Sequence, residues 1–335
     1  MRQEKTLRGR PDGTAGKHLV AWSSLEDYEL DDYLSALGQA FPDLTMTLVR
    51  SPTGDLAARL RGWDLGEQPP DLLFGTAATV LCEPEITALL APVEPTASAA
   101  GPERRWVAAS GFRNAVAVCG PELHRRGLPT PQSWADLADP IHRGLIAFPD
   151  PALSAAGTLA LAGLVQKLGP AEAWPVIAAI LQNTALFLPS SWSCARAALD
   201  PATPIAVSVE IACLRLADQS DTIRVVVPSD ASAVELEGFA MLAGTSAPDL
   251  CAEILAWSVG EASQSIARRW RKVTLGKRGA ASEDLLADGS FTLDHERAAS
   301  ERSSHVAQFA ALRAEGACSS AKTSNPRLHR EGANQ

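Results

Sequence analysis

Apolar and polar positions follow one another in short blocks along most of the chain, and the period of the blocks switches in a regular order. Residues 18–22 form a brief apolar run, after which Ser24, Leu25, Glu26 and Asp27 read as a helix cap with an acidic partner. Leu30, Tyr33, Leu34, Leu37 and Phe41 then recur at helical spacing. Residues 45–50 alternate as a strand, and Ser51, Pro52, Thr53 and Gly54 make a turn that opens a helix over 55–60. Residues 71–74 are a buried-strand candidate, ending at Gly75 and Thr76 before another helix. Strands and helices in this alternation predict a largely parallel sheet covered on both faces.

The pattern restarts after a loop around 92–110. Strands are expected over 115–119, 145–148, 205–209, 223–227 and 237–242. Ser133 caps a short helix, Pro170 announces the second of two helices over 158–168 and 171–182, and Ser191 caps one running to Leu199. Helices over 248–259 and 261–270 close the fold. The first 17 residues and those beyond 319 read as disordered tails. The α/β blocks divide into one lobe of 18–110 plus 236–318 and a second of 111–235, with a ligand-sized cleft between them.

Composition narrows the function. The 335 residues are 46% hydrophobic and 21% charged, enough to bury a sizeable core, and the net charge of −9 disfavours nucleic acid as a partner. The six cysteines include no C-x-x-C pair and no histidine at zinc spacing, so neither a structural metal nor a disulfide framework is expected. The start is basic but has no apolar run after it, so as read it carries no export signal. There is no G-x-S-x-G, no phosphate-binding G-x-x-x-x-G-K-S/T and no dinucleotide G-x-G-x-x-G after a strand, which leaves hydrolase, P-loop and Rossmann readings without their mechanical parts, and neither an enzyme nor a cofactor is expected.

What recurs instead is a small hydroxyl residue or glycine at a helix start. Ser23 and Ser24, Thr53 and Gly54, Gly75 and Thr76, Ser154 with Gly157 and Thr158, and Ser191 with Ser193 all fit. Each alone could be a helix cap. Together they can make an anion cradle, because helix N-termini present free N–H groups and a partial positive charge.

Several segments bear a family resemblance: AWSSLEDYEL (21–30), VRSPTGDLAARL (49–60), PDLLFGTAA (70–78), PTPQSWADLADPIHRGLIAFPDPALSAAGT (129–158), SWSCARAAL (191–199), AVSVEIACLRL (206–216) and VELEGFAMLAGTSAPDLCAEILAW (234–257). In order and spacing they resemble family 1 extracellular solute-binding proteins of ABC importers, in the subgroup of ferric-ion and 2-aminoethylphosphonate binders. The resemblance implies a bilobed, type II periplasmic-binding-protein-like α/β fold, with two doubly wound lobes closing on a solute by a hinge. It also implies a non-enzymatic monomer serving a membrane permease from the periplasm. The missing export signal would place the chain in the cytoplasm if its start is correct, where a ligand-sensing role is the alternative. By position, the hydroxyl and glycine residues named above would line the cleft with Glu210, and Glu210 would accept a ligand ammonium group. Arg113, in the crossover, is a further candidate for the anion. Ferric binders of this family carry a tyrosine pair where this chain has Glu210 and Ile211, and its only tyrosines are Tyr28 and Tyr33. A small anionic or zwitterionic solute of the 2-aminoethylphosphonate kind is therefore favoured over iron.

Overall fold

A computed structural model describes residues 3–9, 18–63, 69–94, 99–100, 104–275 and 289–323. The chain begins with β1 (Gln3–Leu7), β2 (His18–Ser23), α1 (Asp27–Ala40), β3 (Thr45–Arg50), α2 (Thr53–Arg61), β4 (Leu72–Ala77) and the single turns α3 (Ala78–Leu81) and α4 (Pro84–Thr87). It continues through β5 (Ala99–Ala100), β6 (Trp106–Cys119), α5 (Gly120–Arg125), α6 (Trp134–Leu137), β7 (Ile146–Pro149), α7 (Ala155–Leu168), α8 (Pro170–Asn183), β8 (Thr184–Leu188) and α9 (Ser191–Ala197). It ends with β9 (Ile205–Val209), α10 (Glu210–Ala217), β10 (Ile223–Val226), β11 (Ala233–Met241), α11 (Pro248–Ser258), α12 (Glu261–Arg269), β12 (Phe291–Thr292) and α13 (His295–Thr323).

One long strand organises these elements. The first half of β6 pairs antiparallel with β11, from Val107 to Arg113, and its second half pairs antiparallel with β9, from Asn114 to Val118. The sheet therefore runs β1-β3-β2-β4-β11-β6 on one side and β6-β9-β7-β8 on the other. The β2–β3, β2–β4, β7–β9 and β7–β8 pairs are parallel, as the alternating pattern implied. Each half has helices on both faces. Trp22, Leu56, Leu73 and Trp106 fill one face of the first half, and Leu30, Leu37, Met46, Phe74 and Ile254 the other. In the second half Val116, Trp134, Phe148 and Leu161 form the main core.

The N-terminal segment corrects the sequence reading. Gln3–Leu7 is a strand, not a disordered tail, and pairs antiparallel with β3. It is polar because it covers a sheet edge, with Lys5 on Asp31 at 2.6 Å and Leu7 against the core. The C-terminal helix α13 was not anticipated, and of the expected tail beyond 319 all but 319–323 lies outside the described residues. Among its residues up to 315, Ala298, Ala299, Arg302, His305 and Phe309 are buried, a helical period hidden by small and charged residues. Ala299 joins the first half's core, while Phe309 stacks on Phe148 at 6.0 Å and meets Phe187 edge-on at 5.7 Å. This helix thus straps both halves together. Phe309→Ala should cost about 3–5 kcal/mol of folding stability, the usual range for emptying a buried aromatic site. Urea unfolding of the variant measures it, and a loss below about 1 kcal/mol would mean that α13 adds little to the core.

Candidate functional site

Strands β2, β3 and β4 end on one wall of the groove between the halves, and the loops before α7, α9 and α10 form the facing wall. The groove leaves a cavity of about 60 Å³. From the first half it is lined by Ser24, Glu26, Tyr28 and Glu29 at the β2–α1 junction, and by Arg50, Pro52 and Thr53 at the β3–α2 junction. From the second half come Leu153, Ser154, Ala155 and Ala156 at the start of α7, and Ser190 and Ser191 at the start of α9. Phe112 and Glu237 of the crossing strands, with Lys272, complete it.

Four of the expected hydroxyl residues, Ser24, Thr53, Ser154 and Ser191, therefore line one cavity. The others lie behind it. Ser23 is fully buried and accepts the Leu25 N–H at 3.1 Å, and Thr76 is fully buried beneath the floor. Gly75 holds φ +67° at the end of its strand, where its carbonyl accepts from Ser24 Oγ at 3.3 Å. Gly157 packs against Pro149 and Pro151, and Thr158 Oγ1 donates to the Pro151 carbonyl at 3.1 Å, fixing the loop that presents Ser154. Ser193 caps its helix reciprocally with Ser190, so the cap of α9 is Ser190, not Ser191. Glu210 sits outside the cavity, with its carboxylate gripped by Arg113 at 2.8 and 2.9 Å. Arg113 also donates to Ser290 at 2.9 Å, so the crossover cation and the acidic candidate bind each other.

The sequence reading missed the charged members of the lining. Lys272 is buried between Glu29 and Glu237, with Glu237 at 2.6 Å. Ser110 donates to the same Glu237 carboxylate at 2.7 Å. Two carboxylates thus share one ammonium. Burial pushes the Glu29 carboxyl up to about 7, against the pull of Lys272. Burial alone would lower the lysine, but Glu237 and Glu29 hold it above its ordinary range. The Tyr28 phenol is raised well above its usual value by burial and by Glu29 and Glu26. Arg50 donates to the Leu25 carbonyl at 3.1 Å and to Glu26 at 2.8 Å.

The walls touch. Ser191 Oγ donates across the groove to Glu26 at 2.8 Å, and the Gly54 N–H donates to the Leu153 carbonyl at 3.0 Å. At one end Arg215 lies over Tyr28, Trp270 and Trp192 at 4.6, 5.2 and 5.4 Å, so residues of both halves form one cation–aromatic cluster.

This closed, two-lobed arrangement is the fold of type II periplasmic binding proteins. The chain belongs to the bacterial extracellular solute-binding protein family, whose pattern matches residues 106–278, just over half of its length. Its structure is similar to the substrate-binding protein of an ABC transporter from Agrobacterium tumefaciens, with a TM-score of 0.79 at 15% identity over 93% of this chain and 99% of that one. AfuA from Actinobacillus pleuropneumoniae, solved with fructose-6-phosphate bound, has a TM-score of 0.75 at 19% identity, over 89% and 99% of the two chains. Iron-bound HitA from Pseudomonas aeruginosa has 0.73 at 17%, over 88% and 99%. No curated protein sequence matches the chain.

Two measurements test the site. A β-carbon on Gly54 would lie 2.0 Å from the Ala152 carbonyl oxygen of the facing wall. Gly54→Ala should therefore fold but fail to close, giving a larger radius of gyration in small-angle scattering; an unchanged radius would show that the contact does not limit closure. The second test is pH. A carboxyl raised from 4.5 to about 7 favours the folded state most below 4.5, and that contribution is lost as pH rises through 7. The lysine's contribution persists across this window, because its shift is upward from 10.5. The melting temperature should fall between pH 5 and 8, and Glu29→Gln should flatten that slope. Parallel slopes in the two proteins would assign the dependence elsewhere.

Proposed function

We propose that this chain is the solute-capturing component of an ABC importer, acts outside the cytoplasmic membrane, and closes on a small zwitterion of the 2-aminoethylphosphonate kind. The observation that carries this reading is a cavity lining that combines two chemically opposite sets of groups. One set is the start of α7 at Ala155 and Ala156, the hydroxyls of Ser154, Ser190 and Ser191, and the Arg50 guanidinium, with Glu26 between Arg50 and Ser191. First-turn N–H groups have no intrahelical acceptor and carry the positive end of the helix dipole, which suits an anionic head. In the second set Glu29 and Glu237 share a single ammonium, and the Glu29 carboxyl, held up to about 7, is the group that can turn anionic against a ligand amine. That role, expected at Glu210, falls in this reading to the floor of the cavity.

The family supports import as the context, and among the described residues no helix is long and apolar enough to cross a membrane. The tyrosine positions favour an organic solute over ferric ion. Tyr28 alone lines the cavity, while Tyr33 packs on Phe74 at a ring separation of 6.1 Å in the first half's core.

Calorimetric titration with 2-aminoethylphosphonate, ethylphosphonate and ethanolamine tests the reading. The zwitterion should bind about 10- to 150-fold more tightly than either half-ligand, the equivalent of one charged hydrogen bond of about 1.5–3 kcal/mol at each end. Equal affinity for ethylphosphonate would remove the amine from the recognition, and no binding of any of the three would exclude this ligand class.

A further inference from the structure

The cavity already holds one anion, and it is the protein's own. The Glu26 carboxylate accepts from Arg50 at 2.8 Å through one oxygen and from Ser191 Oγ at 2.8 Å through the other. Arg50 stands at the end of β3 in the first half, and Ser191 opens α9 in the second. A guanidinium and a hydroxyl from opposite walls thus converge on one carboxylate, the geometry by which a two-lobed protein grips an anionic ligand group. The pair is well shielded, with the Arg50 and Glu26 side chains only 10% and 17% exposed. Lys272 is committed to Glu29 and Glu237, and Arg50 is the lining cation that shares an acceptor with the cross-wall hydroxyl.

Taking the ligand reading above as its basis, we propose that Glu26 is a built-in counter-anion, which bridges Arg50 to Ser191 and must be displaced from them by the anionic head of the solute. Glu26 is the N-cap of α1, in a capping box with Glu29, so rotation about its side-chain torsions gives up the cap together with both partners, while the backbone hydrogen bonds of the helix remain. Arg50 keeps its bond to the Leu25 carbonyl and stays aimed at the cavity. The displaced carboxylate remains in a shielded space and needs a cation. A zwitterion adds no net charge beside it, whereas a simple anion adds a second negative charge. Displacement therefore selects for zwitterions, and Glu26 acts as a specificity residue by exclusion.

The test uses Glu26→Ala, with Glu26→Gln as the isosteric variant that keeps the shape, and two probes. Inorganic phosphate, which brings no cation, should bind at least 10-fold more tightly to Glu26→Ala than to the unaltered protein, with Glu26→Gln between them. The preference for 2-aminoethylphosphonate over phosphate should shrink in the same order. Small-angle scattering of the variants without added ligand should show a larger radius of gyration, and Ser191→Ala should reproduce this opening. Phosphate binding that is unchanged, weaker or absent in both Glu26 variants overturns the proposal, whatever the scattering shows. The phosphate comparison does not require 2-aminoethylphosphonate to be the solute, so failure of that ligand on the unaltered protein counts only against the functional reading.

Discussion

Strands β6 and β11 cross between the lobes side by side, and the charged groups at the cleft take their positions from that crossing. Both strands are almost wholly buried, so every polar side chain on them needs a partner. On β11, Glu237 is satisfied by Ser110 of β6 and by Lys272, which ties the end of the α12 segment and the start of α1 to the sheet. On the same strand Glu235 accepts the Thr79 N–H and hydroxyl at 2.9 and 2.6 Å, anchoring the turn below β4. On β6, Arg113 grips Glu210 at the start of α10. At Gly111 the Glu235 carbonyl would lie 2.7 Å from any β-carbon, so the strands approach there as only glycine permits.

These ion pairs position more than they stabilise. A buried pair gives back in attraction roughly what it lost in hydration, so replacing it whole is often neutral while breaking it is costly. In the Glu29–Lys272–Glu237 group two carboxylates face one ammonium, and the raised Glu29 carboxyl relieves the imbalance by holding its proton up to about pH 7.

The fold was legible in the sequence wherever an element buries one apolar face. The parallel strands of both halves, the helices after β2 and β3 and the Ser133 cap, which accepts the Asp136 N–H at 3.0 Å, follow from short-range pattern alone. Helix α13 was not legible, because it docks through alanines and one phenylalanine among charged residues. The cleft was half legible. Hydroxyls at helix starts pointed to Ser24, Thr53, Ser154 and Ser191, since strand ends and helix starts share one groove. The same signal cannot tell a lining hydroxyl from one turned inward, and Thr158 bonds a carbonyl seven residues back. The charges were illegible for a different reason. Glu29, Glu237 and Lys272 lie far apart in sequence, each in a context that reads as solvated surface, and only the packed fold gives them one another. Arg50 was the nearest to a visible signal, as a lone charge closing an apolar strand immediately before a helix start.

Closure and selection meet at the same atoms. Among the contacts that join the lobes are a backbone bond at Gly54, an aromatic cluster around Arg215 and a side-chain bridge at Glu26. The first is a backbone contact of Gly54, which is not part of the cavity lining, and the second reaches the lining through Tyr28. The bridge is different, because its donors also face the cavity. Any ligand that engages Arg50 and Ser191 must replace the protein's own carboxylate, and only the difference between the two sets of contacts appears as affinity. Tight closure therefore does not imply tight binding here. A ligand with opposite charges at its two ends would restore the bridge without adding net charge beside the carboxylate it dislodges, which a simple anion cannot do.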